Sequence, residues 1–253
     1  MKRFVITGHR AATTGDFKLD DIAGGAGRLD ILVRCVNSAL FLSHGIRRDT
    51  ECWLVLEGGD DAPKTVVFRG ESVRYLNPDE RSTASLIRNA LMKPLPDGEE
   101  VQSSPGVSIV RMGFEDVLDL LSEDGSIIYL REDGTDCRDY EFPSSPVFVL
   151  GDDRDPTDEE EAALLSHDPD RIRLGPLSLH ANHCITVVHN EMDRKGVRGW
   201  QSLLLRGYRS TVIARTAGRC SSERADSAPT RAGRRRATRS EGSSGSWGSS
   251  GSR

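Results

Sequence analysis

No apolar run in these 253 residues approaches the roughly 20 needed to cross a bilayer, so nothing reads as a membrane helix. The opening Met1–Gly8 stretch is too short for a signal peptide. The five cysteines, Cys35, Cys52, Cys137, Cys184 and Cys220, are odd in number and lack CxxC spacing, which excludes a disulfide framework and a zinc knuckle. Reduced thiols in a soluble, cytoplasmic protein are the expectation. The run Gly24-Gly25-Ala26-Gly27 fits neither GxGxxG nor GxxxxGK[ST], which removes the usual grounds for a dinucleotide dehydrogenase or a P-loop NTPase. It reads as a flexible loop. Lysine is scarce too, with only Lys2, Lys18, Lys64, Lys93 and Lys195 in the whole chain.

Charge divides the chain in two. From Gly199 onward there are eleven arginines and three acidic residues, so the tail carries +8 and the body −13, against −5 overall. The tail ends in a Ser/Gly run, and residues 199–253 are expected to be disordered and outside the fold. Its Arg/Gly/Ser/Ala/Pro bias is what GC-rich DNA yields when read out of frame, and this origin is preferred to a basic arm that binds phosphate through Arg234-Arg235-Arg236. The acidic body suits a salty cytoplasm, where ions screen the self-repulsion, and a halophilic host is expected.

Within the body, short β-branched runs alternate with helical patterns, which predicts an α/β fold with a mostly parallel sheet covered on both faces. Strands are predicted at Phe4–Thr7, Cys52–Glu57, Thr65–Phe68, Ser108–Arg111, Ile127–Leu130, Val147–Leu150 and Arg171–Leu174. A first helix over Arg28–Ser43 would bury Leu29, Leu32, Val36 and Leu40. Asn77 would cap a second, with Pro78 at its first position and Glu80 closing a capping box. A third covers Phe114–Leu121, and Thr157 with Glu160 starts a fourth. The last begins at Ala181, with Ala181, Cys184, Ile185, Val188 and Met192 as its apolar stripe.

Three predicted strand ends run into small or acidic residues: Leu130-Arg131-Glu132, Leu150-Gly151-Asp152-Asp153 and Leu174-Gly175-Pro176-Leu177. Ligands of open α/β sheets bind outside the carboxyl ends of strands, so three such turns meeting would form a pocket rich in backbone donors. At Gly175 the missing side chain would let the backbone come close to a ligand.

Several blocks, in order, carry a resemblance. These are Gly27-Arg28-Leu29-Asp30, Arg34-Cys35-Val36-Asn37, Phe41-Leu42-Ser43-His44-Gly45-Ile46-Arg47-Arg48, Pro78-Asp79-Glu80-Arg81-Ser82, the Leu130 and Gly151 turns, and Leu174–Arg194. Over residues 1–198 the chain resembles the archaeal SPOUT methyltransferases, and within them the tRNA pseudouridine-54 N1-methyltransferases. The resemblance implies one α/β domain over that range, with its C-terminal part threaded into a deep trefoil knot. It further implies a homodimer that takes tRNA as substrate, S-adenosyl-L-methionine as methyl donor, and no metal. Matching by residue puts Leu130, Gly151, Leu174, Gly175, Pro176, Leu177, Ser178, Leu179 and Cys184 around the cofactor. Action on another RNA, at a ribosomal pseudouridine or a ribose 2′-hydroxyl, and a silent RNA-binding protein are the competing readings.

The reaction moves a methyl group to a ring nitrogen that must lose a proton, so alignment and a proton-accepting carboxylate are what the protein would supply. Asp30, from the Gly-Arg-x-Asp match, is the catalytic candidate; Asp152 and Asp153 compete with it, and a salt bridge from Asp30 to Arg34 at i+4 is the bland alternative. Cys184 is expected to touch the cofactor without covalent chemistry. His180, His183, Cys184 and His189 point in different directions on one helix, which argues against zinc. For RNA the candidates are Arg10, Arg28, Arg34, Arg47 and Arg48, with the adjacent Arg47-Arg48 preferred as a phosphate site.

Overall fold

The computed structural model describes residues 1–196, so the basic tail at 199–253 lies outside the described residues. In chain order the elements are β1 (Lys2–Ala12), α1 (Leu29–Leu40), β2 (Phe41–Leu42), β3 (Gly45–Ile46), β4 (Thr50–Gly58), β5 (Lys64–Arg69), α2 (Glu80–Leu91), β6 (Val101–Ser104), β7 (Val107–Val110), α3 (Phe114–Ser122), β8 (Ser126–Asp136), β9 (Pro146–Leu150), α4 (Asp158–Ser166), β10 (Asp170–Arg173) and α5 (Ala181–Arg194). Eight strands form one sheet in the order β10-β8-β9-β1-β4-β5-β7-β6. The five from β10 to β4 pair in parallel. The other three pairings, β4 with β5, β5 with β7 and β7 with β6, are antiparallel.

Alternation along the strands explains the layers. Phe4 and Ile6 of β1 face a core shared with Leu29, Leu32, Val36 and Leu40 of α1, Ile87 of α2, and Ile185, Val188 and Met192 of α5. Between them, Val5 faces the opposite core with Val117 and Leu118 of α3 and Leu164 of α4. All four residues on the predicted α1 stripe are fully buried. On α5 the stripe is buried except for half-buried Cys184. His189 joins the buried side: its ring meets Phe4 edge-on at 5.0 Å, and its Nε2–H donates to the Ala39 carbonyl at 3.0 Å. Burial and the nearby charges of Arg47 and Lys2 hold it neutral, with its pKa well below the ordinary histidine value.

Four expectations need correction. The α2 cap is Asp79, not Asn77: its carboxylate accepts from the Ser82 N–H at 2.7 Å, while the Asn77 N–H donates to Ser82 Oγ. A carboxylate makes the same reach as an amide and also complements the helix dipole, which shifts the start by two residues. Helix α1 stops at Leu40, because Phe41–Leu42 and Gly45–Ile46 pair as a small hairpin. The glycine run is pinned rather than flexible: Ala12 N–H donates to Ala26 O at 3.2 Å, and Gly27 adopts φ 63°, with any Cβ colliding with the Arg10 carbonyl.

The fourth correction shapes the site. Strand β8 does not end at Leu130 but continues to Asp136, with a jump in register: Tyr129 opposes Arg171 while Thr135 opposes Ile172. Residues 130–134 therefore bulge from the ladder. Gly134 closes the bulge, where a Cβ would stand 2.5 Å from the Ile172 nitrogen.

Candidate active site

Because β8, β9 and β10 run parallel and adjacent, the segments leaving them lie on one side of the sheet. One cleft is walled by Tyr129–Glu132 of the β8 bulge, by Leu150–Asp152 and Arg154–Pro156 after β9, and by Ile172, Leu174, Gly175 and Leu177–Leu179 around the end of β10. Ala181 and Cys184, in the first turn of α5, close it. The three turns thus meet around one space. Of the nine residues that the resemblance puts around a cofactor, eight line the cleft: Leu130, Gly151, Leu174, Gly175, Leu177, Ser178, Leu179 and Cys184. Pro176 is exposed and does not line it.

The lining is mixed in chemistry. Leu130, Leu150, Ile172, Leu174, Leu177 and Leu179 give apolar surface, Glu132 and Asp155 bring negative charge and Arg131 and Arg154 positive charge, while the Asp152 side chain is buried against His9. Ser178 Oγ donates to Glu132 Oε1 at 2.6 Å, tying the β10–α5 loop to the β8 bulge. That hydrogen bond holds the Glu132 carboxyl below the ordinary glutamate range. Gly175 has space beside it: a Cβ there would meet nothing within 4 Å. Burial, helped by the Glu132 charge, pushes the Cys184 thiol up to about 11, so it is uncharged near neutrality.

Asp30 is 6% exposed, and its two oxygens accept from Arg28 and Arg34. Burial raises its pKa, but the two guanidinium groups more than offset this and hold the carboxyl below its ordinary value. The i+4 ion pair with Arg34 is therefore present. Arg28 also reaches Asp153 at 3.1 Å, and Arg10 pairs with the same carboxylate. Arg10, Arg28, Arg34, Asp30 and Asp153 thus form one charged cluster beside the turn that follows β9. Each of the three arginine side chains in it remains about 40% exposed.

Arg47 and Arg48 sit elsewhere. The Arg47 side chain is only 13% exposed and forks onto Asp193 of α5 at 2.6 and 3.1 Å. Arg48 Nη1 donates to the carbonyls of Gly70 and Glu71 at 2.8 and 3.2 Å, a brace for the loop after β5. Among the described residues no group of three His, Cys, Asp or Glu side chains is placed to hold a metal ion.

Sequence reasoning missed the ring of polar groups behind the cleft. His9, at the carboxyl end of β1, presents Nδ1 to Asp152 Oδ1 and Nε2 to Glu160 Oε2, both at 2.9 Å. The dipeptide His9-Arg10 carries no motif. A histidine at the end of a central parallel strand was the one available signal.

A cleft at the carboxyl ends of parallel strands, walled by loops and floored by a helix, defines an α/β protein that holds a small ligand on its sheet edge. The fold is similar to that of a solved structure, Archaeoglobus fulgidus Nep1 bound to S-adenosylhomocysteine, with a TM-score of 0.52 and 15% identity over 78% of this chain and 98% of that one. The chain belongs to the family of putative SAM-dependent RNA methyltransferases, whose model matches residues 1–197. It is 54% identical over 202 residues to the tRNA (pseudouridine(54)-N(1))-methyltransferase of Haloferax volcanii, covering 78% of this chain and 98% of the relative. The Haloarcula marismortui protein of the same name is 52% identical with the same coverage.

Proposed function

We propose that this protein is an S-adenosylmethionine-dependent methyltransferase that modifies N1 of pseudouridine 54 in tRNA. The observation that carries the reading is the convergence of the β8 bulge, the β9 turn and the β10–α5 loop on one cleft. The relatives named above supply the substrate.

The lining fits the methyl donor. Leucine and isoleucine side chains suit the faces of an adenine, and the open space at Gly175 leaves its backbone N–H and C=O reachable by the base edge. Glu132 and Asp155 offer carboxylates to a cationic group. When bound, S-adenosylmethionine supplies an electrophilic methyl group. The protein's own part is to hold, orient and exclude water. Cys184 contributes packing as a neutral thiol.

For RNA, Arg10, Arg28 and Arg34 are the favoured contacts, since their ion-paired side chains stay partly exposed beside the β9 turn, whereas Arg47 and Arg48 are used internally. Asp30, with both oxygens engaged, acts first by aligning Arg28 and Arg34; accepting the ring proton would require RNA to draw those guanidinium groups away. A homodimer that admits the base between protomers, and a trefoil knot formed as the chain passes from β9 across β8 to β10 and into α5, belong to the same proposal. The sheet order and the fold likeness support the knot reading. The catalytic domain is assigned to residues 1–198, in line with the extent of the family match, in an archaeal cytoplasm of high salt that suits the acidic body.

Mass spectrometry of tRNA nucleosides tests the function. Loss of 1-methylpseudouridine on gene deletion, restored by the full chain, is expected. Unchanged 1-methylpseudouridine would overturn the substrate assignment, and absence of S-adenosylmethionine uptake by folded protein at high salt would overturn the activity.

A further inference from the structure

The polar ring behind the cleft is nearly dry. The side chains of His9, Asp152 and Glu160 are 8%, 1% and 9% exposed, and the space left beside His9 and Glu160 against the β9 turn is about 10 Å³, at the lower limit for one water. A neutral imidazole carries one N–H, yet both ring nitrogens of His9 face a carboxylate oxygen, so the ring is satisfied only as an imidazolium.

The bonds around this cation are arranged at the two ends of one loop. At its start, Asp152 Oδ2 accepts from the His9 backbone N–H at 3.0 Å, and Asp152 Oδ1 accepts from Arg154 N–H at 3.0 Å. At its end, Glu160 Oε2 accepts from Thr157 N–H at 2.7 Å, and Thr157 Oγ1 accepts from Glu160 N–H at 3.2 Å, closing the capping box of α4. His9 touches both carboxylates. The segment between them supplies Gly151, Asp152, Arg154, Asp155 and Pro156 to the cleft, while His9 itself does not line it.

We propose that His9 is a positioning residue, whose imidazolium staples both ends of the Gly151–Thr157 loop and so sets the cleft wall against which the methyl donor binds. This rests on the reading of the cleft as the methyl-donor site. Tightness of the loop makes the staple consequential: a Cβ on Gly151 would come 2.7 Å from the Arg154 carbonyl, so the backbone there has little freedom to readjust.

Glu57 of β4 and the Tyr129 hydroxyl of β8 are further titratable groups near the ring. Two carboxylates around one cation leave a net negative charge, and burial followed by the Glu160 charge pushes the Glu57 carboxyl up to about 7. Burial pushes the Tyr129 hydroxyl above its ordinary value, so Tyr129, with Phe114 of α3, adds an uncharged wall to the same space. His9 is held charged by the Asp152 and Glu160 hydrogen bonds, with its pKa pushed up to about 10.

The experiment uses the full chain at high salt, comparing wild type with His9→Gln and Glu160→Gln, neither of which lines the cleft, by calorimetric titration with S-adenosylmethionine and by methyl-transfer kinetics on pseudouridine-containing tRNA. Circular dichroism and thermal melts verify that each variant is folded at the assay temperature. Kd and KM for S-adenosylmethionine should rise about tenfold or more, the scale of a lost charge-assisted hydrogen bond, with turnover largely recovered at saturating donor. A lower melting temperature with unchanged KM would reduce His9 to a stabilising role and overturn the proposal. If His9→Gln does not fold, the Kd of Glu160→Gln decides. If wild type binds no S-adenosylmethionine, the functional reading fails, whereas wild-type binding with equal affinity in the folded variants sinks only the staple.

Discussion

Gly175→Ala separates what the fold demands from what a ligand demands. Gly175 follows β10 with no left-handed φ, and an added Cβ meets nothing within 4 Å, so the free protein has no use for a glycine there. Alanine narrows the unfolded ensemble, and the folded state should gain about 0.4–1 kcal/mol. For a body of this size that is a rise of roughly 1–4 °C in Tm. On the proposed placement of S-adenosylmethionine, the same methyl group would stand where the adenine edge approaches. One extra carbon in a fitted site costs about 1–3 kcal/mol, or roughly 5- to 150-fold in Kd. Thermal melts and calorimetric titration on one preparation read both numbers. Gly134→Ala is the contrast, because its Cβ would collide with the Ile172 nitrogen and the Arg171 carbonyl and must destabilise the free protein. A drop of several degrees for Gly175→Ala, or an unchanged Kd, would refute the reasoning about this loop.

The His9 staple predicts a pH signature. Its folded pKa, about 10, lies above the ordinary 6.5, so its stabilisation is complete below about pH 6.5 and is lost as pH rises through 10. In urea denaturation the stability gap between wild type and His9→Gln should be widest near pH 6 and shrink toward pH 10; a gap that grows with pH counts against an imidazolium. Cys184, with its thiol pushed up to about 11, should be alkylated at pH 7.5 on the order of a hundredfold more slowly than a free cysteine, as followed by peptide mass spectrometry. A normal rate would show a thiolate in the cleft. Asp30→Asn should leave S-adenosylmethionine affinity unchanged, since Asp30 does not line the cleft, and weaken tRNA binding and turnover about tenfold by releasing Arg28 and Arg34. Loss of cofactor binding in that variant would move Asp30 into the cofactor site.

Local signals were readable where one residue type has one physical use. The α1 stripe, the Thr157–Glu160 capping box and the buried face of α5 all follow from periodicity and capping chemistry. The α2 start slipped because Asn77 and Asp79 are both able caps, and only the packed geometry chooses between them. Arg47 and Arg48 looked free as a pair, but their partners, Asp193 and the Gly70 loop, are remote in sequence. His9 was invisible for the same reason: Asp152 and Glu160 lie more than 140 residues further along the chain.

By itself the order of residues determined the α/β class, the helix faces and the three segments able to wall a ligand, because hydrophobic period, glycine and proline act over a few neighbouring positions. Tertiary structure alone decided that β9 inserts between β8 and β1, that residues 130–134 bulge from the ladder, and that an imidazolium bridges two carboxylates behind the cleft. Parallel pairing joins strands distant in the chain, and charges find their partners only after that pairing has brought the strand ends together.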